Sequence, residues 1–207
     1  MSATRDSPTT GFVADTVPFS NVDGPGNRFV VFLQGCNFNC VACHNPQTIP
    51  GHGPVDGFHP EHLEVSDVVA QIRKAAPFIA GVTASGGEAT GQESFVWQLF
   101  EAVKTDPELA DLTCFVDSNG ACALRVWDRL APLLDGVMID LKCLDPVIHE
   151  QMTGVANAPV LASIRHLQKL GLLYEVRLLF LSGVNDDPAL VRATGEWLAA
   201  IDPTMRL

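Results

Sequence analysis

Residues 28–45 read RFVVFLQGCNFNCVACHN, a mostly apolar run, a polar turn, and then Cys36, Cys40 and Cys43 within eight residues. A short apolar run closed by glycine and polar residues is the pattern of a buried strand. FIAGVTASGG, LTCFVDSNG, GVMIDLK and YEVRLLFLSG repeat it further along the chain. Between them Val65 to Ala75, Glu93 to Lys104, Leu124 to Leu134, Pro159 to Leu170 and Ala189 to Ala199 carry apolar residues near i, i+3, i+4 and i+7, the spacing of an amphipathic helix. Strands that are continuously apolar are buried on both faces, so the repeated β/α order predicts an α/β fold with a parallel sheet and outer helices, doubly wound or closed towards a barrel. In either architecture the functional groups gather at the carboxyl ends of the strands. Those ends are GCNFNC, SGGE, DSNG, DLK and SGVND.

The 207 residues, 47% hydrophobic and 18% charged, are enough for one core, and a single domain over 1–207 with a loose tail at 1–10 is expected. Pro46 to Pro60, rich in Gly, Pro and His, reads as a loop. A net charge of -11 repels phosphate backbones, so nothing in the overall charge suggests a nucleic-acid partner and none is expected. MSATRDSPTT lacks the apolar run of a signal peptide, and no stretch reaches the roughly 18 apolar residues of a membrane span, so a cytoplasmic location without membrane contact is expected. The closing IDPTMRL reads as a turn and the start of another strand, so the fold is expected to be truncated at its sixth strand.

Half of the six cysteines crowd into the C-x3-C-x2-C segment, which favours a metal or cluster site over disulfides. Three thiolates on one loop leave the fourth iron of a cubic cluster open, as a catalytic cluster requires and a pure electron carrier does not. Two rivals remain: a zinc ion on Cys36, Cys40, Cys43 and the adjacent His44, and an electron-transfer cluster completed by a distant cysteine. Cys114, Cys122 and Cys143 read as small buried hydrophobes.

C-x3-C-x2-C followed one strand later by GGE is the paired signature that the radical S-adenosylmethionine (SAM) superfamily carries. More narrowly, FSNVDGPGNRFVVFLQGCNFNCVACHN, SGGEAT, DSNG, MIDLK, HEQMTG and SGVND resemble the glycyl-radical enzyme activating enzymes, the group of pyruvate formate-lyase activase. SGGEATGQ, LTCFVDSNG and EVRLLFLSG resemble most closely its YjjW-type branch. The resemblance implies a partial (β/α)6 barrel, a [4Fe-4S] cluster on Cys36, Cys40 and Cys43, and reductive cleavage of SAM to methionine and a 5′-deoxyadenosyl radical. It also implies that this radical removes hydrogen from a glycine of a partner glycyl-radical enzyme, with a flavodoxin or ferredoxin-type electron donor and a monomeric activase. A radical SAM enzyme acting on a small molecule, and a zinc or ferredoxin-like binding module, are the alternatives.

Residue by residue, the resemblance places Ala42, His44, Gly86, Gly87, Glu88, Asp117, Ser118, Asp140, Leu141 and Lys142 at SAM. Glycines let a backbone approach a ligand, and the carboxylate of Glu88 suits an ammonium group. Asp140 and Lys142, two apart on one strand, share a face. Asp117, Ser118, Asp140 and the backbone near Met138 match a monovalent-cation site, for which hard oxygen ligands are suited. Asp23, flanking the PGN turn with Arg28, matches the mouth where the partner's glycyl loop enters, and with Lys142 it is the catalytic candidate. Arg177 faces either the barrel or the helices. Ala42 stands where the family often stacks an aromatic residue on adenine, and the segment from Pro46 to Ser66 lacks the extra cysteines of a ferredoxin module.

Overall fold

The computed structural model describes residues 10–51 and 57–207. One seven-stranded sheet forms the frame, with strands β1 (Thr10–Ser20), β2 (Arg28–Leu33), β3 (Glu61–Glu64), β4 (Gly81–Gly86), β5 (Thr113–Ser118), β6 (Gly136–Leu141) and β7 (Leu173–Leu178). Their spatial order is β3-β1-β2-β4-β5-β6-β7. From β2 to β7 the neighbours run parallel, while β1 is antiparallel to both β2 and β3. The five apolar runs are thus the parallel strands, and the α/β architecture is consistent with the expected partial barrel. The antiparallel edge was not foreseen.

Helices α1 (Val65–Ala75), α2 (Glu93–Thr105), α3 (Leu124–Leu130), α4 (Pro146–Thr153), α5 (Ala158–Leu170) and α6 (Pro188–Ala199) fall between or after the strands. Five match the predicted periodic stretches, although the third ends at Leu130 and continues only as a short 3-10 turn, Ala131–Leu133, where Pro132 interrupts the backbone ladder. The additional helix, α4, begins on an Asp145 carboxylate that accepts the N–H groups of Val147 and Ile148, with Pro146 at its first position, and stops on Gly154 in the left-handed region. The segment read as a loop contains a short 3-10 turn, Pro46–Thr48, and the predicted tail falls outside the described residues except for Thr10, which starts β1.

Successive strand residues point to opposite faces. Val31, Leu33, Val82, Ala84, Cys114, Val116, Val137, Ile139 and Val176 are buried in the layer shared with Val68, Ile72, Val96, Leu99, Phe100, Trp127 and Ile164 of the helices. The intervening residues carry the polar groups: Thr83, Ser85, Asp117, Asp140 and Arg177. The strands are therefore buried on both faces, but only the helix side is a purely apolar core. Beyond β7 the Arg206 carbonyl accepts the Val176 N–H at 3.0 Å, which lays the last residues alongside that strand. Among the described residues no helix is long and apolar enough to cross a membrane.

Candidate active site

The polar face of the sheet opens into a cavity of about 670 Å³ at the carboxyl ends of the parallel strands, a volume suited to a cofactor-sized ligand. Cys36, Cys40, Ala42, Cys43 and His44 line one side, Gly86, Gly87, Asp117, Ser118, Asp140 and Lys142 the other, and Asp23 the rim. Of the residues expected to hold the cluster, to meet SAM or to act in catalysis, only Glu88 and Leu141 are not part of this lining. Leu141 is buried on the apolar side of β6.

The cysteine loop is held by its backbone. Cys36 N–H donates to the Ile49 carbonyl (3.0 Å), Asn39 N–H to Thr153 (2.8 Å) and Val41 N–H to Met152 (2.9 Å), so the C-terminal turn of α4 clamps the loop around Cys40. All three thiols are free and half-buried. Burial pushes Cys36 up to about 11, against the Phe38 N–H that donates to its sulfur, and burial also raises Cys40, against the nearby Lys142. A metal centre binds thiolates, so its assembly must release these protons. Iron–sulfur reconstitution of the metal-free protein is therefore expected to proceed further as pH rises from about 7 to about 8.5 and to fall off below neutrality. The visible absorbance of the assembled centre reads this directly; greater assembly at lower pH would contradict the buried-thiol account.

Across the cavity Lys142 donates to Asp140 at 2.7 Å on the shared face that their spacing implies. Burial works against the Lys142 ammonium, but Asp140, with Cys40 and Asp117 beyond it, holds the group above its ordinary value. Asp117 accepts from Ser85 (3.0 Å) and from Arg177 (3.1 Å). Burial, and then the neighbouring Asp140, push its carboxyl up to about 7 despite Arg177. Arg177 thus faces the cavity, and it also donates to Glu175 (2.7 Å) and to the Val22 carbonyl (2.9 Å), tying the rim segment beside Asp23 to β7. Ser20 donates to the Asp23 carboxylate.

Glu88 turns the other way. Its carboxylate, 3% exposed, accepts from the Thr90 N–H and hydroxyl, the Ser118 hydroxyl and the Asn119 N–H, all within 2.9 Å. Three of the four donors meet Oε1 and the Asn119 N–H meets Oε2, so the carboxylate is engaged by its own neighbours and is not part of the cavity lining. Its contribution here is to join the turn after β4 to the turn after β5. The glycines before it have a structural use as well: Gly87 N–H donates to Leu33 and Glu88 N–H to Gly35, each at 2.8 Å. A Cβ on Gly87 would collide with the Gly35 carbonyl, and Gly86 has φ +113 with Leu33 backbone where its Cβ would stand. Gly87→Ala is accordingly expected to displace the Gly35–Cys36 backbone and to cost at least about 2 kcal/mol, which denaturant unfolding of the metal-free protein checks. A stability within about 0.5 kcal/mol of wild type would show that the loop yields freely.

Sequence reasoning overlooked Asn119 and Ser85, which line the cavity, and left Arg177 undirected. The DSNG run was legible as a turn, but nothing in it says which way the asparagine amide points.

Three free thiols facing glycine backbone and charged groups across one cavity suit a cluster with an open iron and a zwitterionic ligand. Among the described residues no three His, Cys, Asp or Glu side chains are already gathered on one ion, so neither a zinc site nor a cluster site is preassembled and the choice between them rests on the family. A parallel sheet with such a loop at its carboxyl ends defines a class of cofactor enzyme, and the model of the radical SAM superfamily matches residues 30–192. The chain belongs to that superfamily, within the group of the pyruvate formate-lyase-activating enzymes. It is 33% identical to the pyruvate formate-lyase-activating enzyme of Streptococcus mutans over 95% of this chain and 75% of that protein. It is likewise 33% identical to a putative glycyl-radical enzyme activating enzyme of Haemophilus influenzae, over 88% of this chain and 74% of that one. A solved domain of the pyruvate formate-lyase-activating enzyme from Bacteroides vulgatus superimposes with a TM-score of 0.53 at 26% identity, covering 61% of this chain and 76% of that domain.

Proposed function

We propose that this chain activates a glycyl-radical enzyme, holding a [4Fe-4S] cluster on Cys36, Cys40 and Cys43 and SAM in the cavity beneath them. The observation that carries the reading is that the three cysteines and the polar ends of β4, β5 and β6 line one cavity of about 670 Å³. When bound, the cluster supplies the electron for reductive cleavage of SAM, and the resulting 5′-deoxyadenosyl radical takes hydrogen from a glycine of the partner.

The chain's own residues bind and orient. Backbone at Gly86 and Gly87 lies close to the cysteine loop and offers polar groups to the methionyl end of SAM, while the Glu88 carboxylate, which is not part of the cavity lining, holds the turn that carries them. Lys142, kept protonated by Asp140, presents a positive charge to a carboxylate or ribose oxygen. Ala42 and His44 border the adenine side, which Ala42 leaves without an aromatic stack. A monovalent cation between Asp117, Ser118, Asp140 and the Met138 carbonyl belongs to the reading on the strength of their hard oxygen donors, and it would share the two carboxylates with Arg177, bound to Asp117, and Lys142, bound to Asp140. Val22 and Asp23 at the rim contact the partner's glycyl loop. An external electron donor of the flavodoxin or ferredoxin type and a transiently docking monomer complete the reading.

The test is anaerobic reconstitution with iron and sulfide, addition of SAM, dithionite and a pyruvate formate-lyase-type partner, and EPR. A glycyl-radical doublet with release of 5′-deoxyadenosine supports the reading. Release of 5′-deoxyadenosine with a small-molecule product and no doublet would favour a small-molecule substrate instead, and failure to bind iron would overturn the cluster assignment.

A further inference from the structure

We infer that Asn119 is a positioning residue for the cluster: its side-chain amide donates to the Cys36 sulfur and raises the cluster's reduction potential. The inference rests on the cluster assignment above but needs neither SAM cleavage nor a partner enzyme.

The amide is held from every side. Asn119 is 7% exposed and its backbone N–H donates to the Glu88 carboxylate at 2.8 Å. Its Oδ1 accepts the Ala121 N–H at 2.9 Å, and because only an oxygen can accept there, the amide orientation is set by the bond itself. Nδ2 therefore points at the cysteine loop. One of its hydrogens goes to Asn37 Oδ1 at 2.7 Å, and the other approaches Cys36 Sγ at 3.7 Å, within the range of an N–H···S bond. The Phe38 N–H reaches the same sulfur at 3.4 Å. Cys36 thus has two N–H donors, one from its own loop and one from the turn after β5.

Reduction places additional negative charge on the cluster and its thiolates, so a donor to a ligating sulfur stabilises the reduced form more than the oxidised one. The expected consequence is a less negative potential, which brings the cluster within reach of a weaker reductant. Glu88 has a corresponding part: with its carboxylate spent on Thr90, Ser118 and the Asn119 N–H, it orients the turn that carries the donor.

An EPR-monitored redox titration of the reconstituted protein tests this, without SAM. Asn119→Ala removes the sulfur donor together with the bond to Asn37; Asn37→Ala removes the bond between the loops and leaves the sulfur donor in place. At the potential where the wild-type cluster is half reduced, Asn119→Ala is expected to show a reduced-to-oxidised ratio about tenfold lower, a shift of about 59 mV to more negative values for one electron. Asn37→Ala is expected to titrate with the wild type. Asn119→Ser keeps a side-chain oxygen to accept the Ala121 N–H and adds no charge, but is too short to reach the Cys36 sulfur; it serves if the alanine variant does not fold and is expected to shift the same way. Unshifted Asn119 variants, or an equal shift in Asn37→Ala, would overturn the inference. A wild-type protein that assembles no cluster would instead refute the cluster assignment on which it rests.

Discussion

Cys40→Ala, reconstituted anaerobically, is expected to lose the stable cluster and with it SAM cleavage, by more than the roughly 10–100-fold that removal of an outer-shell partner costs a metal site. The loss should be one of chemistry and not of folding. The flanking backbone bonds from Asn39 to Thr153 and from Val41 to Met152 do not involve the thiol, and Cys40 is only partly buried. Truncating a half-buried thiol that makes no hydrogen bond to another of the described residues should change the stability of the metal-free protein by less than about 1 kcal/mol. Iron content, visible absorbance and 5′-deoxyadenosine release measure the first effect, and denaturant unfolding measures the second. A variant that retained both cluster and cleavage would remove Cys40 from the ligand set. One that lost the cluster only because it unfolded would leave the clamp by α4, not the sulfur, as the determinant.

Arg28→Met is expected to be the most destabilising of these substitutions, by about 3–5 kcal/mol in denaturant unfolding, because it strands buried acceptors. The guanidinium is fully buried and donates to the Thr83 hydroxyl (2.6 Å), the Val82 carbonyl (2.8 Å), the Thr113 hydroxyl and carbonyl (both 2.9 Å) and the Pro25 carbonyl (3.1 Å). Its charge lies 4.5 Å from the centre of the Phe115 ring, and among the described residues it makes no ion pair. Burial lowers its pKa to about 10, so at neutral pH it remains charged. Met fills part of the volume but supplies no donor. The effect should reach the cavity rim too, since the Thr83 hydroxyl that accepts from Arg28 donates in turn to the Asp23 carbonyl at 2.7 Å. Stability equal to wild type would mean that water replaces the guanidinium without cost.

Arg28, which in the sequence merely flanks the PGN turn, is therefore an internal residue, and the reason lies in its neighbours. Sequence shows an arginine next to an apolar run; only the parallel register, which sets Arg28 beside Gly81 and Gly81 beside Thr113, reveals a ring of acceptors around it. Strand β1 was missed for a related reason. In TGFVADTVPFS only Gly11 and Val13 are buried, and its place in the sheet comes from backbone pairing with β2 and β3, which leaves no apolar run to read. Strand β3, EHLE, is short and largely exposed. Helix α4 announced itself by its Asp-Pro start and Gly stop, but eight residues are too few for a clear period.

The order of apolar runs and amphipathic stretches by itself determined the parallel α/β frame, because burial on the helix side dictates residue type along the whole length of a strand or helix. The three cysteines and the double glycine were legible for the same kind of reason: their chemistry and conformational freedom are properties of the residues themselves. Only the tertiary structure decided where the charged side chains point. Glu88 is turned from the cavity by donors 2 to 31 residues away, Arg177 towards it by Asp117 60 residues away, and Asn119 onto Cys36 by the combined hold of Glu88, Ala121 and Asn37. A polar side chain takes its direction from partners brought together by folding, and those partners leave no periodic trace in the chain.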